Sequence, residues 1–319
     1  MSTTMERWSI LYRGPLSSCN YGCEYCPFAK TRNTRAELLD DAEKLDRFTT
    51  WVGQQTDRSI GILFTPWGEA LIRKHYQRAM IEIGHLPHVE RVAAQTNLSC
   101  KLDWLKECDL DTVALWTTYH PTETSMEKFL ERCAALDEMG VRYSVGVVGF
   151  KEAFDDIATL REQLSSDTYL WINAYKREPD YYTEEDVRRF ESIDPLFRYN
   201  TRYHTSQGKP CQGGHTSFTV DGGGVARRCH FIEAPIGNIY DADFRESLAP
   251  KPCTTDACGC HIGYIHMDEL DLYETFGRGL MERIPAGALW REDRARQAAI
   301  AAARRKLGPH VLAHRPSWA

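Results

Sequence analysis

The chain has 319 residues, of which 42% are hydrophobic and 26% charged, so it is long enough to bury a full core and too ordered in composition for extensive disorder. Its formal net charge is −6, so the chain as a whole lacks the positive charge that would attract nucleic acid or an anionic membrane. The unusual number is eleven cysteines. Because this count is odd, complete internal disulfide pairing is excluded.

The N-terminal residues contain no apolar run of signal-peptide length, since Glu6 and Arg7 interrupt it. No uncharged stretch approaches the length of a membrane span. We therefore expect a cytoplasmic protein without membrane partners, in which thiols stay reduced. Clustered cysteines in that compartment more often bind metal or take part in chemistry.

The first two thirds of the chain alternate between short apolar runs and amphipathic stretches. Strands are predicted at Trp8–Arg13, Ser59–Phe64, Arg91–Gln95, Thr112–Thr117, Arg142–Val148 and Thr168–Ala174. Helices are predicted at Ala36–Gln55, Ala70–Gly84, Ser125–Met139 and Phe154–Leu164, with capping boxes at Thr124/Glu127 and Thr183/Asp186. Beyond residue 200, His215–Val220 and Val225–Phe231 flank a glycine-rich turn and predict a β-hairpin. The chain after Met267 is predicted to be helical, including Ala286–Lys306.

Six alternations of strand and helix predict an α/β fold with a parallel sheet, because parallel strands need crossover connections. A closed eight-unit barrel needs about 250 residues, and only about the first 200 residues carry this pattern. We therefore predict an open, partial (β/α)6 barrel in residues 1–200. A hairpin module follows in residues 201–268, and a helical extension in residues 269–319.

A first cysteine cluster directly follows the first predicted strand. Cys19, Cys23 and Cys26 have the spacing C-x3-C-x2-C, so a curled loop could direct three thiolates to one centre. Thiolates are the usual ligands of iron–sulfur clusters, and three cysteines on four irons leave one iron for another ligand. A zinc site completed by a distant fourth ligand is the alternative.

This spacing at the end of the first strand of a partial barrel resembles the radical S-adenosylmethionine (SAM) superfamily. The resemblance implies that Cys19, Cys23 and Cys26 hold a 4Fe–4S cluster and that SAM chelates the open iron. An electron from the cluster would then cleave SAM to a 5′-deoxyadenosyl radical, which abstracts hydrogen from a substrate. Tyr25, before the last cysteine, would lie near the adenine.

Further motifs of this superfamily follow the later strands. Pro66–Leu71 resembles the Gly-Gly-Glu-Pro motif that contacts the SAM amino group, with Gly68 and Glu69 preserved. Gln95–Leu98 resembles a Thr-Asn-Gly turn, with leucine in place of glycine. The other SAM-binding residues implied by the resemblance are Thr96 and Asn97 in that turn, Thr117 and His120 after the fourth strand, and Val147 and Val148 near the fifth.

A second cysteine cluster lies in the last third of the chain. Cys211 precedes the predicted hairpin, and Cys229 falls in its second strand, with 17 residues between the two cysteines. Cys253, Cys258 and Cys260 follow later in the chain. The arrangement resembles the twitch module, a shortened relative of SPASM, which binds an auxiliary 4Fe–4S cluster. Cys211, Cys229 and Cys253 are the favoured ligands, with Cys258 or Cys260 as the fourth. The spare thiol could be structural or could donate hydrogen to the substrate, and a four-cysteine zinc site is the alternative.

The resemblance implies an enzyme that oxidises a small polar molecule and takes electrons from a flavodoxin- or ferredoxin-type donor. The start of the motif at residue 19 leaves no room for an N-terminal peptide-recognition domain, which favours a small substrate. Radical modification of a peptide is the alternative reaction, and a metal-stabilised binding or electron-transfer protein is the alternative class. Lys176 and Arg177 could contact an anionic group or belong to a solvated loop. Cys100, Cys108 and Cys133 lack metal-like spacing and are expected to be small core residues.

Overall fold

The computed structural model describes residues 6–29 and 31–310, and this part of the chain holds eleven strands and nine α-helices. The strands are β1 (Arg7–Arg13), β2 (Ser59–Phe64), β3 (Val89–Thr96), β4 (Val113–Thr118), β5 (Arg142–Val148), β6 (Tyr169–Asn173), β7 (His204–Thr205), β8 (Ser217–Asp221), β9 (Val225–Arg227), β10 (Pro235–Asn238) and β11 (Ala257–Cys258). The helices are α1 (Arg35–Gln54), α2 (Lys74–Gly84), α3 (Met126–Glu138), α4 (Phe154–Gln163), α5 (Glu184–Glu191), α6 (Phe197–Asn200), α7 (His261–Tyr264), α8 (Leu272–Phe276) and α9 (Asp293–Leu307).

The chain forms two compact units. The first comprises the described residues of Met1–Tyr143 and Gln212–Lys251, and the second those of Ser144–Cys211 and Pro252–Ala319. Each unit is therefore discontinuous in sequence. The domain boundaries at residues 200 and 268 stay predictions.

The sheet of the first unit has a parallel centre and an antiparallel edge. Strands β1, β2, β3 and β4 pair in parallel in chain order, and β8 pairs in parallel with the other side of β1. The β8–β9 hairpin and β10 then continue the sheet with antiparallel pairs. Because parallel strands all end at one edge, the loops after β1, β2, β3 and β4 meet there.

The core of the first unit is built by α1 against the sheet. The helix begins with a capping box in which Thr34 and Glu37 bond each other's backbone N–H groups. Its buried positions recur every three or four residues and bring Phe48 against Tyr12, with ring centroids 4.3 Å apart. The same face stacks Trp51 on Trp8. This packing fixes β1, the strand that leads into the first cysteine cluster.

In the second unit, β5 and β6 pair in parallel from Ser144 onward. A buried ion network joins α5, α6 and α9, because the guanidinium of Arg198 bonds both Glu191 and Glu184, and Arg304 of α9 also bonds Glu191. Arg198 and Glu191 are fully buried, so each charge needs these partners. A short antiparallel ribbon of β7 and β11 carries part of the second cysteine cluster.

Most predicted elements are confirmed, with local corrections. The six strands and α1, α3 and α4 lie within a few residues of their predicted bounds, but α2 begins at Lys74 rather than Ala70. The predicted helix Ala286–Lys306 begins only at Asp293, because Gly287 has a non-helical backbone conformation. Helix α3 is capped by Ser125, not Thr124, whereas the capping box at Thr183 is confirmed. The second hairpin strand ends at Arg227, so the placement of Cys229 inside it is wrong. No helix in residues 6–29 and 31–310 is long and apolar enough to cross a membrane.

Candidate functional site

The three cysteines of the first cluster lie on the loop that leaves the carboxyl end of β1. The backbone turns back between Cys23 and Cys26, whose N–H donates to the Cys23 carbonyl at 3.1 Å. The Tyr21 N–H donates to Cys19 Sγ at 3.4 Å. Backbone donors to sulfur are among the contacts that tune iron–sulfur clusters. Cys23 is buried, and the other two thiols are half-buried.

The segment after β2 is bonded directly to this loop. The N–H of Gly68 donates to Leu16 O at 3.2 Å, and that of Glu69 donates to Ser18 O at 3.1 Å. A Cβ atom at Gly68 would lie 2.1 Å from Ser18 O, a distance no side chain can adopt. Glycine at this position therefore permits the close approach of the two backbones.

The Glu69 carboxylate joins the segments after β2 and β3. It accepts hydrogen bonds from Thr96 Oγ1 at 2.7 Å, the Asn97 N–H at 2.7 Å and the Leu71 N–H at 3.0 Å. Burial raises the pKa of Glu69, and these three donors oppose that rise. Glu69 thus organises the Thr96–Asn97 turn. Its contact with the SAM amino group stays a prediction.

The Asn97 side chain contacts the cysteine loop. Its Nδ2 lies 3.1 Å from Asn20 Oδ1 and 3.7 Å from Cys19 Sγ. The next residue, Leu98, has φ +57°, the left-handed conformation that favours glycine. The structure thus gives a physical reason for glycine in the motif that this turn resembles.

The segment after β4 contacts the cysteine loop from another side. Nδ1 of His120 lies 2.8 Å from the Tyr25 hydroxyl and 3.4 Å from Cys23 Sγ. Glu123 Oε1 accepts from the Gly22 N–H at 3.0 Å. Burial lowers the pKa of His120 to about 4, so the ring is neutral at physiological pH. Sequence reasoning missed Glu123, which has no recognisable motif around it.

An arginine, an imidazole and an indole meet near the start of the cysteine loop. The Arg13 guanidinium lies 4.1 Å from the Trp67 ring centroid and 2.8 Å from His230 Nε2. Phe28 also packs against this group, with its ring centroid 4.2 Å from that of Trp67. Burial, reinforced by Arg13, lowers the pKa of His230 to about 4. Sequence reasoning missed this group because His230 is more than 200 residues from Arg13 along the chain.

The donor set of the cysteine loop fits an iron–sulfur centre chemically. Burial raises the pKa of Cys19 and Cys23 and so disfavours their free thiolates, and a bound cationic metal centre would offset this effect. No group of three or more His, Cys, Asp or Glu side chains that could hold a metal ion is found in the part of the chain that the structure describes. The metal-ligand assignments therefore stay predictions.

Four cysteines of the second cluster lie in the second unit, on adjoining backbone segments. The Cys253 N–H donates to Lys209 O at 2.9 Å, and Cys258 is paired with His204 in the β7–β11 ribbon. Cys211 forms an isolated antiparallel bridge with Met267. Cys260 directly precedes α7 and is exposed. The fifth cysteine, Cys229, lies in the first unit, two residues beyond β9.

Lys176 is half-buried in the second unit and is not part of a solvated loop. Its Nζ donates to Asn200 O at 2.7 Å and to the carbonyl of Gly259, the residue between Cys258 and Cys260 in sequence. Burial lowers the pKa of Lys176 to about 8, although the two neighbouring thiols oppose the change. The lysine thus fixes the backbone between these cysteines.

The remaining predicted residues are placed individually. Thr117 is fully buried near the end of β4, and Val147 and Val148 end β5 in the second unit. Cys100 and Cys133 are buried and Cys108 is half-buried; burial raises the pKa of Cys100 to about 11 and of the other two to about 12. Cys100 and Cys133 match the expectation of small core residues, whereas Cys108 is only partly buried.

Comparisons with known proteins give a likeness of fold. No protein-family model matches the chain, and no curated protein does. Solved structures do match, three of them at 12–15% identity. Native anSMEcpe with bound AdoMet and the Kp18Cys peptide has a TM-score of 0.54 at 15% identity, over 76% of this chain and 80% of that chain.

Two further structures are similar. His-tagged anSMEcpe with bound AdoMet has a TM-score of 0.54 at 13% identity, over 94% of this chain and 96% of that chain. Streptococcus suis SuiB has a TM-score of 0.51 at 12% identity, over 77% of this chain and 66% of that chain. The predicted α/β partial-barrel fold class is confirmed by these matches.

Proposed function

We propose that the protein is a radical SAM enzyme in which Cys19, Cys23 and Cys26 hold a 4Fe–4S cluster. The observation that carries this proposal is the convergence of the predicted motifs on one loop. Gly68 and Glu69 bond its backbone, and Glu69 in turn bonds the Thr96–Asn97 turn. An electron carrier needs thiolates, but it does not need this further set of residues.

The roles proposed for the protein residues are those that the resemblance to the superfamily implies. When bound, the cluster would supply the electron that splits SAM into methionine and the 5′-deoxyadenosyl radical, which takes one hydrogen atom from a substrate. Gly68 and Glu69 would hold the backbone where the SAM amino group binds, and Tyr25 would border the adenine. Thr96, Asn97, Thr117, Val147 and Val148 are the further proposed SAM contacts. A flavodoxin or ferredoxin would deliver the electron to the protein.

We further propose a second 4Fe–4S cluster on the C-terminal cysteines. The pairing of the segments that carry Cys211, Cys253 and Cys258 supports this assignment. Such a cluster could accept the electron left on a substrate radical after hydrogen abstraction, which makes the net reaction a two-electron oxidation. Cys229 completes the predicted ligand set with one of Cys258 and Cys260, and the remaining thiol could donate to the substrate.

A small polar molecule is the proposed substrate. Arg13, stacked on Trp67 and bonded to His230, offers a cation and an aromatic surface beside the cysteine loop. This combination suits an anionic or hydroxylated compound. Arg13→Met should raise the KM for such a substrate while SAM cleavage without substrate persists. An unchanged KM would contradict the assignment of Arg13.

Modification of a peptide is a second candidate. It is favoured by the similar fold of anSMEcpe, whose structure contains a bound peptide. Product analysis with small polar compounds and with cysteine-containing peptides separates the two candidates. Conversion of a peptide alone would replace the small-molecule proposal.

The proposed function is tested by reductive cleavage of SAM. The anaerobically purified protein, reduced with dithionite, should convert SAM to 5′-deoxyadenosine and methionine in equal amounts. Cys19→Ala should abolish cleavage, whereas Cys108→Ala, which removes a half-buried thiol outside both clusters, should retain it. A zinc-loaded, iron-free protein without cleavage would instead support a metal-stabilised binding protein.

The ligands of the second cluster are tested by iron counting. The wild-type protein should hold about eight irons, as two four-iron clusters require. Cys211→Ala should lose about half of that iron and keep the first cluster. Parallel measurements on Cys258→Ala and Cys260→Ala should identify the fourth ligand, and full iron content in the Cys211 variant would refute the assignment.

A further inference from the structure

His120 contacts the cysteine loop through one ring nitrogen. Nδ1 lies 2.8 Å from the hydroxyl of Tyr25 and 3.4 Å from the sulfur of Cys23, and both partners belong to the same loop. The histidine itself follows β4, three strands away from the strand that leads into this loop. The contact therefore connects two elements that are distant in sequence.

The orientation of the imidazole is fixed by its neighbours. Its ring stacks on Tyr25, with an interplanar angle of 9° and centroids 6.0 Å apart, and meets the edge of Tyr21 at 5.8 Å. Rings packed on two sides restrict rotation of the imidazole. Nδ1 is thus held toward Cys23.

The chemistry of the sulfur decides the direction of the hydrogen bond. A metal-bound thiolate has no proton and can only accept, so a favourable contact requires a proton on Nδ1. The Tyr25 oxygen, 2.8 Å from the same nitrogen, would then be a second acceptor of that proton. The neutral imidazole can place its one proton there, and a protonated ring would also carry one. The hydrogen bond does not depend on a change of charge on the histidine.

We propose that His120 is a positioning residue of the first cluster, which donates a hydrogen bond from Nδ1 to the sulfur of Cys23. This inference rests on the proposed function, and it replaces the expected contact of His120 with SAM. A donor at a ligating sulfur stabilises the reduced cluster, which carries more negative charge, over the oxidised one. His120 should therefore raise the reduction potential of the cluster, which would favour its reduction by the external electron donor and lower the driving force of the later transfer to SAM.

Two substitutions of His120 distinguish the effect of its N–H donor from the effect of its aromatic ring. His120→Phe keeps an aromatic ring between Tyr21 and Tyr25 but has no N–H, whereas His120→Asn can present an amide N–H near the position of Nδ1. The readout is the midpoint potential of the first cluster, followed by EPR during a reductive titration. The first cluster is identified as the one whose signal changes when SAM is added.

The Phe variant should show a lower midpoint potential than the wild type, and the Asn variant should restore most of the difference. Equal potentials in the wild type and the Phe variant would overturn the inference, as would equal shifts in both variants. Tyr25→Phe is a further control because it removes the competing hydroxyl, and its potential should not fall. A fall as large as that of the Phe variant at position 120 would assign the donor to Tyr25 and overturn the inference.

If the His120→Phe variant does not hold the first cluster, the iron content of the two His120 variants is compared instead. In that case the Asn variant should retain the first cluster after the same anaerobic reconstitution, and both should have similar thermal unfolding without iron. Loss of the cluster from both variants would overturn the inference. Absence of a SAM-responsive cluster in the wild-type protein would instead refute the proposed function, so the two failures are distinguishable.

Discussion

Gly68 places its backbone against the cysteine loop at a distance that a side chain cannot share. The Cβ of alanine there would meet the carbonyl oxygen of Ser18 at 2.1 Å, and both groups are backbone-anchored. Gly68→Ala should therefore displace the loop and lower the free energy of unfolding by about 1–3 kcal/mol, as overpacking does. The measurements are denaturant unfolding and iron retention by the first cluster.

Gly53 gives a matched control in the same unit. It lies within α1, and a Cβ there would meet no atom within 4 Å. Gly53→Ala should be neutral or stabilise the protein by up to about 1 kcal/mol, because alanine is the better helix former. Equal effects of the two substitutions would refute the role given to Gly68.

Sequence motifs could locate candidate residues at this site, although the roles of those residues stay predictions. The cysteine spacing and the Gly68–Glu69 pair identify residues that the structure brings together at one sheet edge. Glu123 and the Arg13–His230 contact could not be predicted, because each depends on a tertiary approach between distant segments. The sequence shows only that Leu98 stands where the motif has glycine, and it does not reveal that the backbone of Leu98 is left-handed.

At the scale of elements, α5 is held to α6 by the ion pair of Glu184 and Arg198. The Arg198 guanidinium lowers the pKa of Glu184 from 4.5 to about 2, and the backbone N–H of His310 contributes to this shift. Because the folded-state pKa is depressed, the stabilisation is present above about pH 4.5 and is lost as the pH falls toward about 2. Glu184→Gln should lower stability at neutral pH and reduce the loss of stability between these two pH values.

The exposed Glu162 on α4 serves as the control for that prediction. Glu162→Gln should leave both the stability at neutral pH and its acid dependence unchanged. The measurement is thermal unfolding of each variant across the acid range. An acid dependence of the Glu184 variant identical to that of the wild type would contradict the ion-pair account.

The elements themselves were largely predictable from apolar periodicity, but their neighbours in the sheet were not. The hairpin of β8 and β9 was expected from its glycine-rich turn, whereas the parallel pairing of β8 with β1 spans about 200 residues of chain. No local pattern encodes such a pairing. Strand β9 likewise ends at Arg227 because it pairs with β8 over only a few residues, so Cys229 falls outside the strand.

At the scale of the whole molecule, the eleven cysteines have three kinds of environment. Three lie on the loop after β1, five belong to the predicted second cluster, of which four lie in the second unit and Cys229 in the first, and Cys100, Cys108 and Cys133 have thiol pKa values raised by burial. Alternating strands and helices were sufficient to predict the α/β class. The assembly of two discontinuous units was not predictable, because it arises from contacts between segments far apart in the chain.

The most direct test of the proposed function is EPR of the dithionite-reduced protein before and after addition of SAM. Direct binding of SAM to an iron predicts a reduced 4Fe–4S signal whose g-values change when SAM is added. This response should be absent in Cys19→Ala and present in Cys108→Ala. A wild-type protein with no iron–sulfur signal, or with a signal that SAM leaves unchanged, would contradict the account.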